Sequence, residues 1–148
     1  MKLSFATLGC PNWRLEEIAA NARSMGYDGV ELRGVKGEHI GPGETQEELK
    51  RIKGLFADNK VEIACIMGYS RFTMLDRKQR EEQISYTIKM LELARDVSCP
   101  VLRIFGGNME GEDRAANIAR VVDCLKTVSA KAEKLGVKMA LETHDDWC

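Results

Sequence analysis

The segment Gly26-Tyr27-Asp28-Gly29-Val30-Glu31-Leu32-Arg33 joins the end of one predicted helix to a predicted strand. Gly26 suits the left-handed turn that commonly ends a helix, and the apolar residues that alternate after it are typical of a strand. The same arrangement returns later in the chain, where Gly136 precedes the strand sequence of residues 137–142. A helix, a glycine and a strand in this order, found twice, predict an α/β fold with parallel strands.

Strands and helices are predicted to alternate along the whole chain. The predicted strands are residues 2–7, 27–33, 61–67, 101–105 and 137–142. Four helices lie between them: one begins at Leu15, two begin after the capping residues Thr45 and Asp76, and one ends at Gly136. Each connection between parallel strands is expected to be right-handed.

Helical spacing of apolar residues predicts which side of each helix faces the core. On the third helix the predicted core residues are Ile84, Ile88 and Leu91, with Arg95 at the margin. On the fourth helix they are Ala115, Ile118, Ala119, Val122, Leu125 and Ala132.

The composition is that of one soluble domain. The chain has 148 residues, of which 44% are hydrophobic and 30% charged, and it contains no linker that would separate a second domain. A formal net charge of -1 gives no broad field for nucleic acid or anionic lipid, and no apolar run is long enough to span a bilayer. The five cysteines form no C-x-x-C pair and no leader sequence is evident, so we expect a cytoplasmic protein.

Two architectures agree with five strands in this length. A flavodoxin-like sheet has five parallel strands but normally ends with a fifth helix, and it would make the chain a complete binding module without catalysis. An eight-stranded β/α barrel needs about 250 residues, so the chain would form a little over half of one. Strand order separates the two, because the barrel keeps the order 1-2-3-4-5 and the flavodoxin-like sheet places strand one between two and three.

Ligands of parallel α/β folds bind at the carboxyl ends of the strands. There, Glu142 and His144 lie on one face of the last strand and offer a carboxylate and an imidazole that suit a divalent cation or a polarised hydroxyl group. An ordinary strand-end carboxylate that binds a neighbouring amide is an equally good interpretation of Glu142. Glu31 and Arg103 are placed to form an ion pair inside a barrel.

Four motifs, each at a strand end, resemble those of xylose-isomerase-like β/α barrels, and within them the sugar phosphate isomerase/epimerase group. The motifs are residues 7–13 (TLGCPNW), 26–33 (GYDGVELR), 103–107 (RIFGG) and 141–144 (LETH). The resemblance covers the first five of the family's eight strands. It implies that residues 1–148 are a single domain, the N-terminal part of a (β/α)8 TIM barrel with five parallel strands and four helices.

The resemblance also implies a function. Family members hold a divalent metal ion (Mn, Mg, Co or Zn) with four side chains, and Glu142 matches the first ligand, which is also one of two glutamates that move a proton through an enediolate. His144, Arg103 and Trp13 match positions that contact substrate. The longer parent is therefore expected to be an isomerase or epimerase of a sugar or sugar phosphate. The 148-residue chain, which lacks the other three ligands, is expected to be inactive and to hold the metal weakly.

Two further expectations concern partners. Abasic-site endonucleases of the same superfamily carry extra histidine ligands after strands three and four, where this chain has residues 68–70 (GYS) and 107–109 (GNM), so a nuclease is the weaker interpretation. A partial barrel would leave the backbone of its first and last strands unpaired, which predicts self-association.

Overall fold

Five parallel strands and four α-helices alternate in a computed structural model that describes residues 1–35, 38–111 and 113–147. The elements are β1 (Ser4–Ala6), α1 (Leu15–Ser24), β2 (Gly29–Arg33), α2 (Gln46–Asp58), β3 (Glu62–Met67), α3 (Arg77–Asp96), β4 (Val101–Phe105), α4 (Arg114–Leu135) and β5 (Lys138–Glu142). Short 3-10 helices cover Thr7–Gly9 and Asp145–Trp147. Every predicted strand is present, four of them shorter than predicted.

The strands form one sheet in the order β1-β2-β3-β4-β5, and every neighbouring pair is parallel. This is the order of a barrel segment, and it excludes the flavodoxin-like alternative, in which β1 would lie between β2 and β3. Right-handed connections place the four helices on one face of such a sheet, here called the outer face. The opposite face, here called the inner face, carries the side chains of the candidate site.

The predicted helix ends agree with the structure. The hydroxyl of Thr45 accepts a hydrogen bond from the backbone N–H of Glu48 at 3.1 Å, and the carboxylate of Asp76 accepts one from the N–H of Gln79 at 2.8 Å. Gly136 follows α4 with a φ of 68°, in the left-handed conformation that glycine adopts without strain.

The core lies between the outer face and the helices. Val30, Leu32 and Leu102 are fully buried there. The predicted core face of α3 was partly wrong, because Leu91 is buried but Ile84 and Ile88 are half-buried and Arg95 is exposed. The buried residues of α3 are Thr87, Met90, Leu91, Leu93 and Ala94.

The predicted core face of α4 was wrong at Ala115, Ile118, Ala119 and Val122, which are exposed, whereas Ala132 is buried and Leu125 packs half-buried against the core. Ile118 and Val122 are 43% and 40% exposed. The buried residues are Asn117, Val121, Cys124, Val128 and Ala132, a neighbouring stripe at the same helical spacing. Asn117 belongs to it because its amide bonds the backbone of Glu110, which a hydrophobicity pattern does not reveal.

A β-bulge separates the lower and upper parts of β3. Val30 pairs with Ile63, but the next residue of β2, Glu31, pairs with Cys65, so Ala64 is the extra residue. As a result Ile63 and Ile66 both lie in the core, whereas Cys65 lies beside Glu31 on the inner face.

Candidate functional site

Three charged side chains from three strands meet on the inner face. Arg103 of β4 lies with its Nε 3.1 Å from Oε2 of Glu142 and 3.6 Å from Oε1 of Glu31. The predicted pair of Glu31 and Arg103 is therefore present, and Glu142 joins it because it lies on the same face of β5 as Ala140, the register partner of Arg103. These three side chains, Glu31, Arg103 and Glu142, are here called the ionic layer. The side chain of Arg103 is 11% exposed and that of Glu142 is 41% exposed, so the guanidinium is more deeply buried than the Glu142 carboxylate.

Aromatic rings hold Arg103 in place. Its Cζ lies 4.2 Å from the ring centre of Phe105 and 5.6 Å from that of Tyr69, distances at which a cation is attracted to the ring face. Within the described residues, neither Nε nor Nη1 of Arg103 makes an aligned hydrogen bond. The ionic layer holds two carboxylates against one guanidinium, which leaves one formal negative charge in excess.

A second arginine lies beside the same tyrosine. Arg33 of β2 pairs with Glu38 at 2.8 Å and donates from its Nε to the hydroxyl of Tyr69 at 3.3 Å. Neither Glu38 nor Tyr69 was among the predicted site residues. Their contacts fix the loops that follow β2 and β3 relative to each other.

His39 is a buried histidine that no sequence pattern singled out. Its Nδ1 lies 2.8 Å from the hydroxyl of Thr7, and that hydroxyl accepts a hydrogen bond from the backbone N–H of Arg33. His39 is 5% exposed, and its Nε2 has no hydrogen-bond partner among the described residues. Burial lowers the pKa of His39, which favours the neutral imidazole.

A pocket of about 180 Å³ opens at the carboxyl ends of β3, β4 and β5. This rim pocket is lined by Tyr69, Ser70, Arg71, Phe105, Gly106, Gly107, Asn108, His144 and Trp147. The ring of His144 packs edge-on against Phe105 with the ring centres 5.7 Å apart. Four of the lining residues are aromatic, so the walls are largely apolar.

The structure brings together some of the predicted site residues and not others. Glu142 and Arg103 are in contact, and His144 lies two residues beyond Glu142 in the rim pocket. Trp13 is half-buried against the core beyond β1, and it does not line the rim pocket. The sequence reasoning missed Trp147, although the density of polar and aromatic residues in 142–148 was a signal for it.

Cys10 and Cys65 are half-buried free cysteines. Burial, with a smaller contribution from Glu31, raises the pKa of Cys65 to about 12. Burial also raises the pKa of Cys10. Both thiols therefore stay protonated at neutral pH and are poor nucleophiles.

The described residues do not by themselves form a metal centre. No three His, Cys, Asp or Glu side chains within residues 1–35, 38–111 and 113–147 are grouped so that they could hold an ion. Glu142 is the single carboxylate at the end of β5, and it is paired with Arg103. A divalent cation at Glu142 would need ligands from outside this set.

Comparison with protein families decides the classification. A family model described as "Xylose isomerase-like TIM barrel" matches residues 19–148. The chain belongs to this family. The match confirms the family resemblance, covers three of the four motifs (26–33, 103–107 and 141–144), and identifies the five-stranded sheet as a segment of a TIM barrel.

Several solved structures have the same fold. D-psicose 3-epimerase from Clostridium cellulolyticum H10, solved with D-tagatose, matches with a TM-score of 0.84 at 13% identity, over 99% of this chain and 54% of that one. For 3-keto-D-glucoside 4-epimerase from E. coli the TM-score is 0.81 at 14% identity, over 99% and 57%. The IolI protein, solved with a zinc atom, gives 0.75 at 21% identity, over 95% and 51%.

The chain thus spans about half the length of these structures. No curated protein matches it. Among the described helices, none combines the length and apolar character that crossing a membrane requires.

Proposed function

We propose that this chain supplies the strand-five carboxylate and part of the substrate site of a metal-dependent sugar isomerase or epimerase. The observation that carries the proposal is the position of Glu142, at the carboxyl end of β5 on the inner face, within 3.1 Å of Arg103. Family membership and the epimerases among the similar structures support the reaction class.

Glu142 would act on the proton of the carbon next to the substrate carbonyl. A carboxylate at 41% exposure is open to substrate, and removal of that proton gives an enediolate, which is reprotonated to the isomer or epimer. Arg103 would hold the carboxylate in position, and His144 and Trp13 would contact the sugar or sugar phosphate. The divalent metal (Mn, Mg, Co or Zn) belongs to the complete barrel, because this chain offers one of the four ligands.

The proposal is tested with ketohexoses and Mn²⁺ by following epimer formation and deuterium exchange at the carbon beside the carbonyl. We expect no turnover from the 148-residue protein. A version extended through strands six to eight is expected to turn over, and Glu142→Gln in it to lose at least about a hundredfold in rate. Turnover by the short protein would contradict its predicted inactivity, and full activity of the Glu142→Gln variant would contradict the role of Glu142.

We also propose that the chain associates with itself at the two ends of the sheet. In the described residues β1 pairs only with β2 and β5 only with β4, and Leu141 beside the β5 edge is 45% exposed. Sedimentation at tens of micromolar is expected to show dimers or larger species, and fewer of them for Leu141→Glu than for the control Leu75→Glu. A compact monomer of the unaltered protein would contradict this.

A further inference from the structure

The indole of Trp147 forms one wall of the rim pocket, and the loop after β4 is shaped to receive it. A Cβ atom added at Gly106 would lie 3.0 Å from Cε2 and Cζ2 of the indole. The indole Nε1 donates a hydrogen bond to the carbonyl of Gly107 at 2.6 Å. Gly106 does not have a positive φ, so the indole, and not the backbone, makes glycine necessary there.

Asp146, the residue before Trp147, binds the loop after β4 and the start of α4. Its carboxylate accepts a hydrogen bond from the backbone N–H of Met109 at 2.9 Å, and its carbonyl accepts one from Nη1 of Arg114 at 2.8 Å. Contacts from a side chain, two backbone groups and the flat surface of Gly106 therefore determine where the indole lies. This wall is fitted to the loop after β4.

The chemistry of the rim pocket suits one sugar ring. Aromatic side chains form its walls, and Arg71 and Asn108 provide polar groups where it opens to solvent. A sugar ring has apolar C–H faces, which stack on aromatic rings, and a polar edge of hydroxyl groups. Since a cavity of about 150 Å³ holds benzene, about 180 Å³ accommodates one six-membered ring.

The rim pocket is separate from the carboxylate that we assign to proton transfer. Glu142 does not line it, whereas His144, whose Cα is at most about 7 Å from that of Glu142, does. A single ring in the pocket would fill it. A substrate that reaches both the pocket and Glu142 therefore needs a second unit.

We propose that the rim pocket is a second carbohydrate subsite, which stacks a non-reacting sugar ring on Trp147 while the reacting unit lies at Glu142. The substrate class that occupies both places is then a disaccharide or another glycoside, whereas a free ketohexose occupies only the place at Glu142. The assignment of the reacting unit rests on the proposed function, but binding of a sugar ring by the pocket does not.

The test is a titration of the ¹⁵N-labelled 148-residue protein, without metal, with methyl β-D-glucopyranoside, cellobiose and benzyl alcohol. Both sugars are expected to bind with a millimolar dissociation constant and to shift the amides of Tyr69, Gly107 and Asn108. Trp147→Ala and Gly106→Ala are each expected to weaken binding about tenfold, equivalent to about 1.4 kcal/mol, because one removes the stacking surface and the other displaces it. The matched controls Met25→Ala and Gly54→Ala, an exposed side chain and a glycine with open space around it, are expected to bind normally.

Gly106→Ala is the more specific test of the role of the indole, because it removes no side chain and acts only by displacing the indole. Unchanged sugar binding in both pocket variants would overturn the proposal. So would binding of benzyl alcohol alone, or sugar-induced shifts at Glu31 and Cys65 in place of the pocket amides. Failure of the proposed function would show instead in the turnover assays, which this titration does not use.

Discussion

The strands β2 and β5 both follow a helix that ends in a glycine, yet β2 is buried and β5 is largely exposed. The outer-face residues of β2, Val30 and Leu32, are fully buried, whereas Leu141 on the outer face of β5 is 45% exposed. β2 has β1 and β3 as neighbours, and within the described residues β5 has only β4. Local sequence thus determines that a strand forms, and the elements packed around it determine what that strand contributes to stability.

The largest expected effect comes from truncating one leucine on each strand. Leu32→Ala should lower the free energy of unfolding by about 2–5 kcal/mol, because it leaves a cavity in a closed core. Leu141→Ala should cost less than about 1 kcal/mol, because water already reaches that side chain. Urea denaturation of the two variants measures the difference, and equal losses would show that β5 is covered in solution.

Arg103 joins the two strands across the inner face, so its removal tests whether they depend on each other. Arg103→Met should lower the free energy of unfolding by about 1–3 kcal/mol, because Glu31 and Glu142 would then face each other without a cation. Arg23→Met, a change of the same kind at an exposed position of α1, is the control in the same urea experiment. A loss no larger than that of the control would mean that the ionic layer contributes nothing to the fold.

A pH-dependent effect is expected on the β2 side, where His39 is buried. Burial lowers the pKa of His39 in the folded protein, so the unfolded chain binds the proton more readily. Its contribution to stability is full above pH about 6.5 and falls at lower pH, by at most about 1.4 kcal/mol per pH unit. The neighbouring charges of Glu38 and Arg33 act in opposite directions on this pKa.

Urea midpoints at about pH 7.5 and about pH 5.5 measure this slope. His39→Gln keeps a hydrogen-bonding side chain next to Thr7 but does not titrate, so its midpoint should fall less between the two values. The same slope in both proteins would assign the pH dependence to other groups.

The smallest expected loss of stability should be equal at the two helix ends that precede β2 and β5. Gly26 and Gly136 both have a positive φ, 79° and 68°, and both have open space around them. Alanine at either position should cost about 1 kcal/mol, because the strain is in the backbone alone. Thermal denaturation would show unequal costs if the environment of the strand that follows affected these helix ends.

The parts of the fold that follow from local chemistry were predictable. Gly26, Thr45 and Asp76 mark helix ends by their own conformational and hydrogen-bonding preferences, and each prediction agrees with the structure. The core face of α4 was not predictable in this way. Two stripes of that helix have similar spacing, and the buried one includes Asn117, whose bonds to Glu110 depend on the path of the loop before the helix.

The candidate site likewise has a part that the sequence predicts and a part that it does not. Strand periodicity predicted that Glu31 and Arg103 would pair, because both positions follow from counting residues along a strand. The rim pocket and the contact of His39 with Thr7 come from loops whose paths the sequence does not specify. The role of Gly106 became visible only with the indole beside it.

The bulge at Ala64 changes the parity of β3. Below it, odd-numbered Ile63 points to the core, and above it even-numbered Ile66 does. Deletion of Ala64 would restore simple alternation, with Ile63 in the core, Cys65 next on the inner face and Ile66 again in the core. The length of β3 can therefore change by one residue at position 64 while the side chains before and after that position stay on their present faces.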